Sequence, residues 1–425
     1  MQSTEFKRVN LPKSRRVFYF LLLCILLFCL NLALKFHEYN AFMELGEQDI
    51  VGKVSVNFTK EKNGKKRQII RIDTSNFSFY SVASKKDEIS LYDVVALSVQ
   101  PIDVSFMDYL SGAFYMPSYD RAVIKRDDSL RQRAINFIST QHENAKISQL
   151  YSALFLGTNV FGELRDDVSN WGVAHLIAIS GYHLGVISAV CFFLLKLVFK
   201  PIYARYMPYR SYIFDFTIAV FLVLCFYFYM IGFIASFLRA FLMSVAGFYM
   251  ICKKIKILNF YTLFGVILFS VALFPQLLFN VGFYFSCLGV FYIYVYLLYF
   301  APKFSLLANS LLLNLYVFFA MEVAVLYFFP LISLLQLSVL AINYLFGIFY
   351  PLSFLLHLFG YGGIFDEILS KMLAFRLSSG SLHISTFIFL LYNAITIFCV
   401  KFKSLALLPP LFGVASFLLF LLNFS

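Results

Sequence analysis

His175-Leu-Ile-Ala-Ile-Ser-Gly-Tyr-His183, continued by Leu184-Gly185-Val186-Ile187, sets two imidazoles, a hydroxyl and two glycines at the head of an apolar run long enough to cross a bilayer. Hydrocarbon offers a helix no cheap way to carry such groups, so polarity at that depth has a purpose or a partner. His175 and His183 are spaced to share roughly one face of a continuous helix. Ser180, Gly181 and Gly185 allow close backbone approach or a break. The stretch reads as a polar constriction or half-helix terminus lining a hydrophilic path, or as a tight helix interface with its histidines near the headgroups.

The rest of the chain sets that run in a membrane. Of 425 residues, 61% are hydrophobic, 20% aromatic and only 14% charged, with 54 Phe and 28 Tyr. A soluble fold of this length has no interior for so much apolar surface. The net charge of +12 fits basic residues gathered on cytoplasmic loops, and also a polyanionic ligand. The cysteines Cys24, Cys29, Cys191, Cys225, Cys252, Cys287 and Cys399 all lie in or beside hydrophobic runs. They form no CxxC or Cys/His cluster, so they read as packing residues, and no metal or cofactor is expected.

Val17 to Leu34 is continuous apolar sequence behind Lys7, Arg8, Lys13, Arg15 and Arg16. It is long for a signal peptide and lacks a small-residue cleavage site, so it reads as an anchor with a cytoplasmic N-terminus. Residues 36–170 hold the polar region. Val54, Val56 and Phe58 alternate with Ser55 and Asn57 as in a half-buried strand, and Asn63-Gly64 signals a hairpin. Strand-like runs follow at Gln68 to Asp73, Asn76 to Ala83 and Leu91 to Val99, with a fifth near Arg121 to Arg126. Five strands suit a small barrel of the OB type. After Asp127 the pattern turns helical. The expected fold is a polytopic α-helical membrane protein with a small extracytoplasmic OB-like β-barrel domain. Its parts are an anchor at 1–35, the β domain at 36–130, a helical connector at 131–172 and a membrane domain at 173–425.

Spans are expected at 173–199, 211–231, 233–251, 258–275, 280–300, 305–329, 383–400 and 405–424. Basic residues favour the cytoplasmic side. Lys196, Lys200, Arg205 and Arg210 fall there, as do Lys253, Lys254 and Lys256, then Lys303, then Lys401 and Lys403. That alternation closes only if the apolar segment 331–358 leaves and returns on one side. A re-entrant or two-half-helix element turning near Asn343 or Pro351 is therefore expected, followed by an amphipathic helix from Ile364 to Leu377 on the outer surface.

Arg239 lies mid-span, where an arginine costs about 2.5 kcal/mol or more, so it needs a partner, a cavity or a ligand. Glu322, on another span, is the expected partner. Gly282, Ser286 and Gly289 form a small-residue packing face. Lys60, Lys62, Lys65, Lys66 and Arg67 stand near Phe77, Phe79 and Tyr80 in the sequence. Cations that follow a phosphate backbone, with rings that stack bases, suit single-strand binding; the same pattern describes a solvated hairpin over a small core. Neither GxxxxGK[ST] nor HExxH occurs, so neither ATP hydrolysis nor a metal nuclease is expected. Ala178-Ile-Ser-Gly181 is one residue from the GxSG of rhomboid-like intramembrane serine proteases, with Ser180 as nucleophile. No histidine lies within the apolar core of another expected span, which suits that dyad poorly.

Taken in order, these blocks resemble the ComEC family of inner-membrane DNA-uptake proteins of natural competence. Ala153-Leu-Phe-Leu-Gly157 and Leu164 precede Ala174-His-Leu-Ile-Ala-Ile-Ser-Gly181 and His183, as in the family's LLLG and AHLLAISGLHVG block, with Tyr182 replacing its usual Leu. Ser236-Phe-Leu-Arg-Ala-Phe-Leu-Met243 resembles its RAxxM helix, and Phe274-Pro275 with Val281-Gly-Phe-Tyr-Phe-Ser286 its dP and GFqLS block. The resemblance covers roughly 145–360. It implies an OB-like extracytoplasmic domain, single-stranded DNA as the transported ligand, and separate DNA receptor, motor ATPase and nuclease proteins as partners. Homo-oligomers are compatible with it. The family often carries a C-terminal metallo-β-lactamase-like domain; this sequence ends after its last span, so a nuclease is expected on another polypeptide.

The family supplies no catalytic residue to carry over, and no enzyme is expected. The expected function is a channel passing single-stranded DNA across the cytoplasmic membrane, lined by His175, Ser180, Gly181, His183 and Arg239. Lys65, Lys66, Arg67, Phe77, Phe79 and Tyr80 would meet DNA outside. A transporter of another substrate and a rhomboid-like protease are the alternatives.

Overall fold

The computed structural model describes residues 15–62, 65–83, 89–112, 114–126, 128–254 and 260–424. Lys7, Arg8, Lys13, the Asn63-Gly64 turn and Lys256 lie outside the described residues, as do the side chains of Lys60, Lys62, Lys65 and Lys66. The chain divides into two compact units.

The first unit comprises residues 11–137 and 267–280. Helix α1 (Arg15–Glu44) continues past the apolar stretch and ends in the core of a sheet. Its Phe42 is buried against the rings of Phe77 and Tyr109. The strands are β1 (Gln48–Lys62), β2 (Lys65–Asp73), β3 (Ser78–Ala83), β4 (Val94–Val99), β5 (Phe114–Tyr115) and β6 (Ser118–Lys125). Helix α2 (Phe106–Ser111) stands between β4 and β5, and α3 (Leu130–Ser139) follows β6. The strand order is β5-β3-β2-β1-β4-β6, antiparallel except for β3 with β5. Strict alternation decides which side chains face inward: Val54, Ile70, Ile72, Phe79, Val95, Leu97 and Val99 form one apolar core. β1 pairs with β4 over Gln48–Lys53 and with β2 over Lys53–Lys62, with a register shift between Val54 and Val56 in the second pairing.

Among the described residues this sheet has six strands where five were expected. Pro117, which has no N–H to offer a ladder, separates β5 from β6. β5 joins β3, while β6 joins β4 at the opposite edge. The start of β6 also touches β3: Ser118 Oγ lies 2.7 Å from Ser81 Oγ, and Arg121 donates to the Val82 carbonyl at 2.6 Å. The hydrogen-bonded ladder itself ends at β5 and β6.

The second unit comprises residues 138–266 and 281–425. Its helices begin with α4 (Ala145–Leu156), α5 (Glu163–Asn170), α6 (Ala174–Ile177), α7 (Gly181–Tyr206), α8 (Tyr212–Ile231) and α9 (Ala235–Cys252). Next come α10 (Phe260–Leu273), α11 (Val281–Tyr299) and α12 (Leu306–Phe328), then the short strand β7 (Leu331–Ser333). The chain closes with α13 (Val339–Leu358), α14 (Asp366–Ala374), strand β8 (Ser379–Ser381), α15 (Thr386–Phe398) and α16 (Leu408–Phe424). Across the described residues of both units, 8 helical segments are long and apolar enough to cross a membrane. α10 and α15, expected as spans, are 14 and 13 residues long. Helix α7 packs on α8 and α9, α9 on α11, α11 on α12, and α12 on α15 and α16.

The expected break at Asn343 or Pro351 is not there: α13 runs unbroken through both. The irregular backbone lies earlier, at β7 and a 3-10 turn over Leu334–Ser338, and β7 pairs with β8. Pattern reading put the break at the proline, but buried helices accommodate proline where neighbours satisfy the freed carbonyl. α13 lies along the connector and the α6–α7 break through its length. Asn343 meets His175, Phe346 and Tyr350 meet Tyr182 and His183, Tyr350 and Phe354 meet Phe155, and His357 meets His142.

Two polar clusters fix the connector to this region. His142 Nδ1 lies 2.9 Å from Asp366 Oδ1, and its Nε2 lies 3.0 Å from His357 Nε2. Asp167, with no side-chain exposure, is held between Lys146 and Arg376, the latter at 2.7 Å.

Candidate functional site

The opening stretch is a broken helix. α6 ends at Ile177, Ala178 and Ser180 are extended, and α7 starts at Gly181. A break leaves backbone groups unpaired, and the local sequence supplies their partners. Ser180 Oγ accepts the N–H of Tyr182 at 3.3 Å. His183 Nδ1 accepts the N–H of Ser180 at 3.2 Å. Ser236 Oγ, from α9, donates to the Ile179 carbonyl at 2.5 Å. His175 and His183 therefore do not share a helix face, because the helix that would align them is interrupted between them.

The break opens on a cavity of about 480 Å³ within the second unit. Its polar lining comes from Ser169, His175, Ser180, Ser236, Ser286, Asn314, Glu322, Gln336 and Asn343. Three of these residues form one chain of hydrogen bonds. His175 Nδ1 lies 3.1 Å from the Gly172 carbonyl, and its Nε2 lies 3.2 Å from Asn343 Oδ1. Asn343 Nδ2 donates to Asn314 Oδ1 at 2.7 Å, and Asn314 Nδ2 donates to the Leu340 carbonyl at 2.8 Å. Both ends are carbonyls. A neutral His175 leaves one of the four bonds without a hydrogen, whereas an imidazolium fills all four.

Irregular backbone closes one wall. Gln336 donates to the carbonyls of Ser169 and Leu331, and its Oε1 accepts from the Ser333 N–H. Gly172, with φ +67°, faces Gln336 so closely that a Cβ there would crowd it at 3.1 Å. Non-helical backbone is tolerated at membrane depth where it is buried in protein or lines a cavity, and Leu331 and Gln336 do line this one.

Arg239 is 4% exposed. Its Nε donates to Ser286 Oγ at 2.7 Å, and another guanidinium nitrogen lies 3.0 Å from Met243 Sδ. The expected pair with Glu322 is not formed. Ser286 takes that place because the small face of α11 lies against α9, while Glu322 projects from α12 into the cavity. Gly181 lies beside the same guanidinium; a Cβ there would stand 3.7 Å from it and 3.4 Å from Ala240 Cβ.

The sequence-derived lining residues thus separate by role. His175 and Ser180 line the cavity, and Arg239 stands behind Ser286. Gly181 serves helix contact. His183 has no exposure, caps α7, and lies edge-on to Tyr350 with ring centroids 4.6 Å apart. Ser236, Asn314, Gln336 and Asn343 were not singled out as lining from sequence. Their signal was present, as hydroxyl or amide groups inside apolar runs.

In the sheet unit, Arg67 is exposed and Tyr80 is half-buried with Arg71 over its ring. Phe79 has no exposure, and Phe77 packs on Phe42, Tyr109 and Phe114. Phe79 points inward because strand alternation puts it in phase with the core, so it has no free face for a base. The backbone of Lys65 and Lys66 lies in β2, at the end of its ladder with β1.

Among the described residues no group of three or more His, Cys, Asp or Glu is placed to hold a metal ion. Residues 158–424, more than half of the chain, match the family model Competence, described as competence protein. Comparison with curated proteins and with solved structures finds no match.

Proposed function

Because this chain belongs to the competence protein family, whose place is DNA uptake, we propose that it carries a single DNA strand across the cytoplasmic membrane. The observation that carries this reading is the convergence of three separate sequence blocks on one polar cavity. His175 and Ser180 come from the first, Ser236 and Arg239 from the second, and Gly282 and Ser286 from the third. Lipid does not solvate phosphates, so a polyanion needs a path of hydroxyls, amides and cations. The wall supplies the first two, with His175 at its surface and Arg239 bonded just behind it.

In this reading the six-stranded unit lies on the extracytoplasmic side, as the basic loops favour, and binds the incoming strand. An OB-like barrel remains our reading of that unit, supported by the contacts of the start of β6 with β3. A receptor, a motor ATPase and a nuclease act as separate proteins, and the channel itself is not an enzyme.

The protease alternative is weaker in its geometry. Ser180 Oγ lies 3.4 Å from His183 Nδ1, but that nitrogen already accepts a backbone N–H. A general base must have its nitrogen free for the hydroxyl proton. Deletion of this protein is expected to abolish transformation while DNA capture at the cell surface continues. Transformants at ordinary frequency in the deletion strain refute the reading.

A further inference from the structure

Glu322 lines the cavity from α12 and is 5% exposed. Among the described residues, its Oε1 meets no hydrogen-bond donor. The other polar groups of the wall are committed to one another or to backbone. Ser236 donates to Ile179, Ser286 accepts from Arg239, and Asn314, Asn343 and His175 form the chain between two carbonyls. Gln336 has both ends of its amide occupied. A metal ion in this pocket would need several oxygen ligands at once, and Glu322 brings the one carboxyl among the lining residues. A proton needs one.

We propose that Glu322 is a proton-binding site of the cavity, neutral while a polyanion occupies it and able to release its proton when the cavity holds water. On release the carboxyl O–H bond breaks and an O–H bond forms on a cavity water, giving hydronium; on uptake the hydronium O–H bond breaks and the carboxyl O–H bond re-forms. An ionised carboxylate without a partner is strongly disfavoured at a desolvated position and repels phosphate. The site stands on the geometry, whereas its use in strand passage rests on the function proposed above.

Other ionisable groups stand on the elements packed against α12. His175 shares the cavity, and Arg239 stands behind Ser286. Tyr292 and Tyr392, from the elements packed on α12, bond each other, Thr396 and the Ala320 carbonyl. Tyr316, on α12 itself, donates to Ala406, and Tyr284 of α11 to Asn393. Cys287 of α11 neighbours Ser286 in sequence. On α13, Tyr344 meets Ser310, Tyr350 packs on His183, and His357 bonds His142.

The test uses the full chain in liposomes with dicyclohexylcarbodiimide, which reacts with protonated carboxyls in apolar surroundings, and mass spectrometry to locate adducts. An adduct is expected at Glu322 and not in Glu322→Gln, forming more slowly at about pH 9 than at about pH 6 because only the protonated carboxyl reacts. A Val325→Cys variant treated with a small maleimide reports access to the same wall. Absence of the Glu322 adduct where the introduced thiol reacts overturns the proposal, and so does an equal rate at both pH values. The labelling needs no DNA. A deletion strain that still transforms would remove the strand-passage reading and leave a pH-dependent Glu322 adduct standing.

Discussion

The two histidines of the opening stretch look alike in the sequence and do different work. His175 is joined to Asn343 on the cavity wall, whereas His183 is enclosed and holds the N–H of Ser180. Their separation was not legible because helical spacing assumes an unbroken helix. His183→Ala is expected to lower the melting temperature, since it strips a buried N–H of its acceptor, at roughly 1–3 kcal/mol. Arg239→Ala is expected to act on passage. Its loss eases insertion of α9, so the protein level should hold. A hydrogen bond to a charged group is worth roughly 1.5–3 kcal/mol, which sets an expected fall in transformation of about ten- to a hundredfold. Transformation frequencies with blotting of membrane fractions separate the two variants; normal frequencies in Arg239→Ala would take it out of the path.

At the scale of elements, α13 carries the sharpest consequence. Its length and composition permit a span, yet one end meets α6, through Asn343 with His175, and the other meets the connector, through His357 with His142. β7 before it also pairs with β8 beyond α14. The stretch from β7 to β8 should therefore begin and end on one side of the membrane. Tyr361→Cys and Ser381→Cys are both exposed positions, and a membrane-impermeant maleimide is expected to label them from the same side of intact cells. Opposite labelling would show that α13 crosses. The count of basic residues makes the same demand over 331–358, so the demand itself is legible from charge. The form of the return was not, because hydrogen bonds from distant residues such as Gln336 to Ser169 decide where backbone can leave a helix. Packing of α12 on α16 gives a second check. A Cβ at Gly413 would fall on the Phe319 carbonyl, which is backbone and has no rotamer to yield. Gly413→Ala is expected to destabilise the fold by roughly 1–3 kcal/mol, measured as earlier thermal aggregation in detergent.

For the whole molecule, composition made the membrane class legible, and ordered motifs made the family legible over the region that the family model matches. What those signals left open was which polar residues share a cavity, since α6, α9, α11, α12 and α13 meet only in three dimensions. The sheet unit shows the same limit in another form. Strands were readable by alternation, but an aromatic such as Phe79 reads equally as a base-stacking platform and as core. Its lack of exposure assigns it to the core, whereas Tyr80, next in sequence, faces outward beneath Arg71. The two substitutions should therefore diverge. Phe79→Ala is expected to cost the fold about 3–5 kcal/mol and to lower the amount of protein recovered. Tyr80→Ala should leave recovery unchanged, because the ring is already half open to solvent. If the unit binds single-stranded DNA, loss of one stacking ring weakens oligonucleotide affinity by roughly 1–3 kcal/mol, about five- to a hundredfold. Fluorescence anisotropy of a labelled oligonucleotide on the full chain in detergent reads that change. Unchanged affinity in Tyr80→Ala, with Arg67→Glu equally without effect, would remove this face of the sheet from DNA binding and leave the cavity as the only DNA-contacting surface proposed.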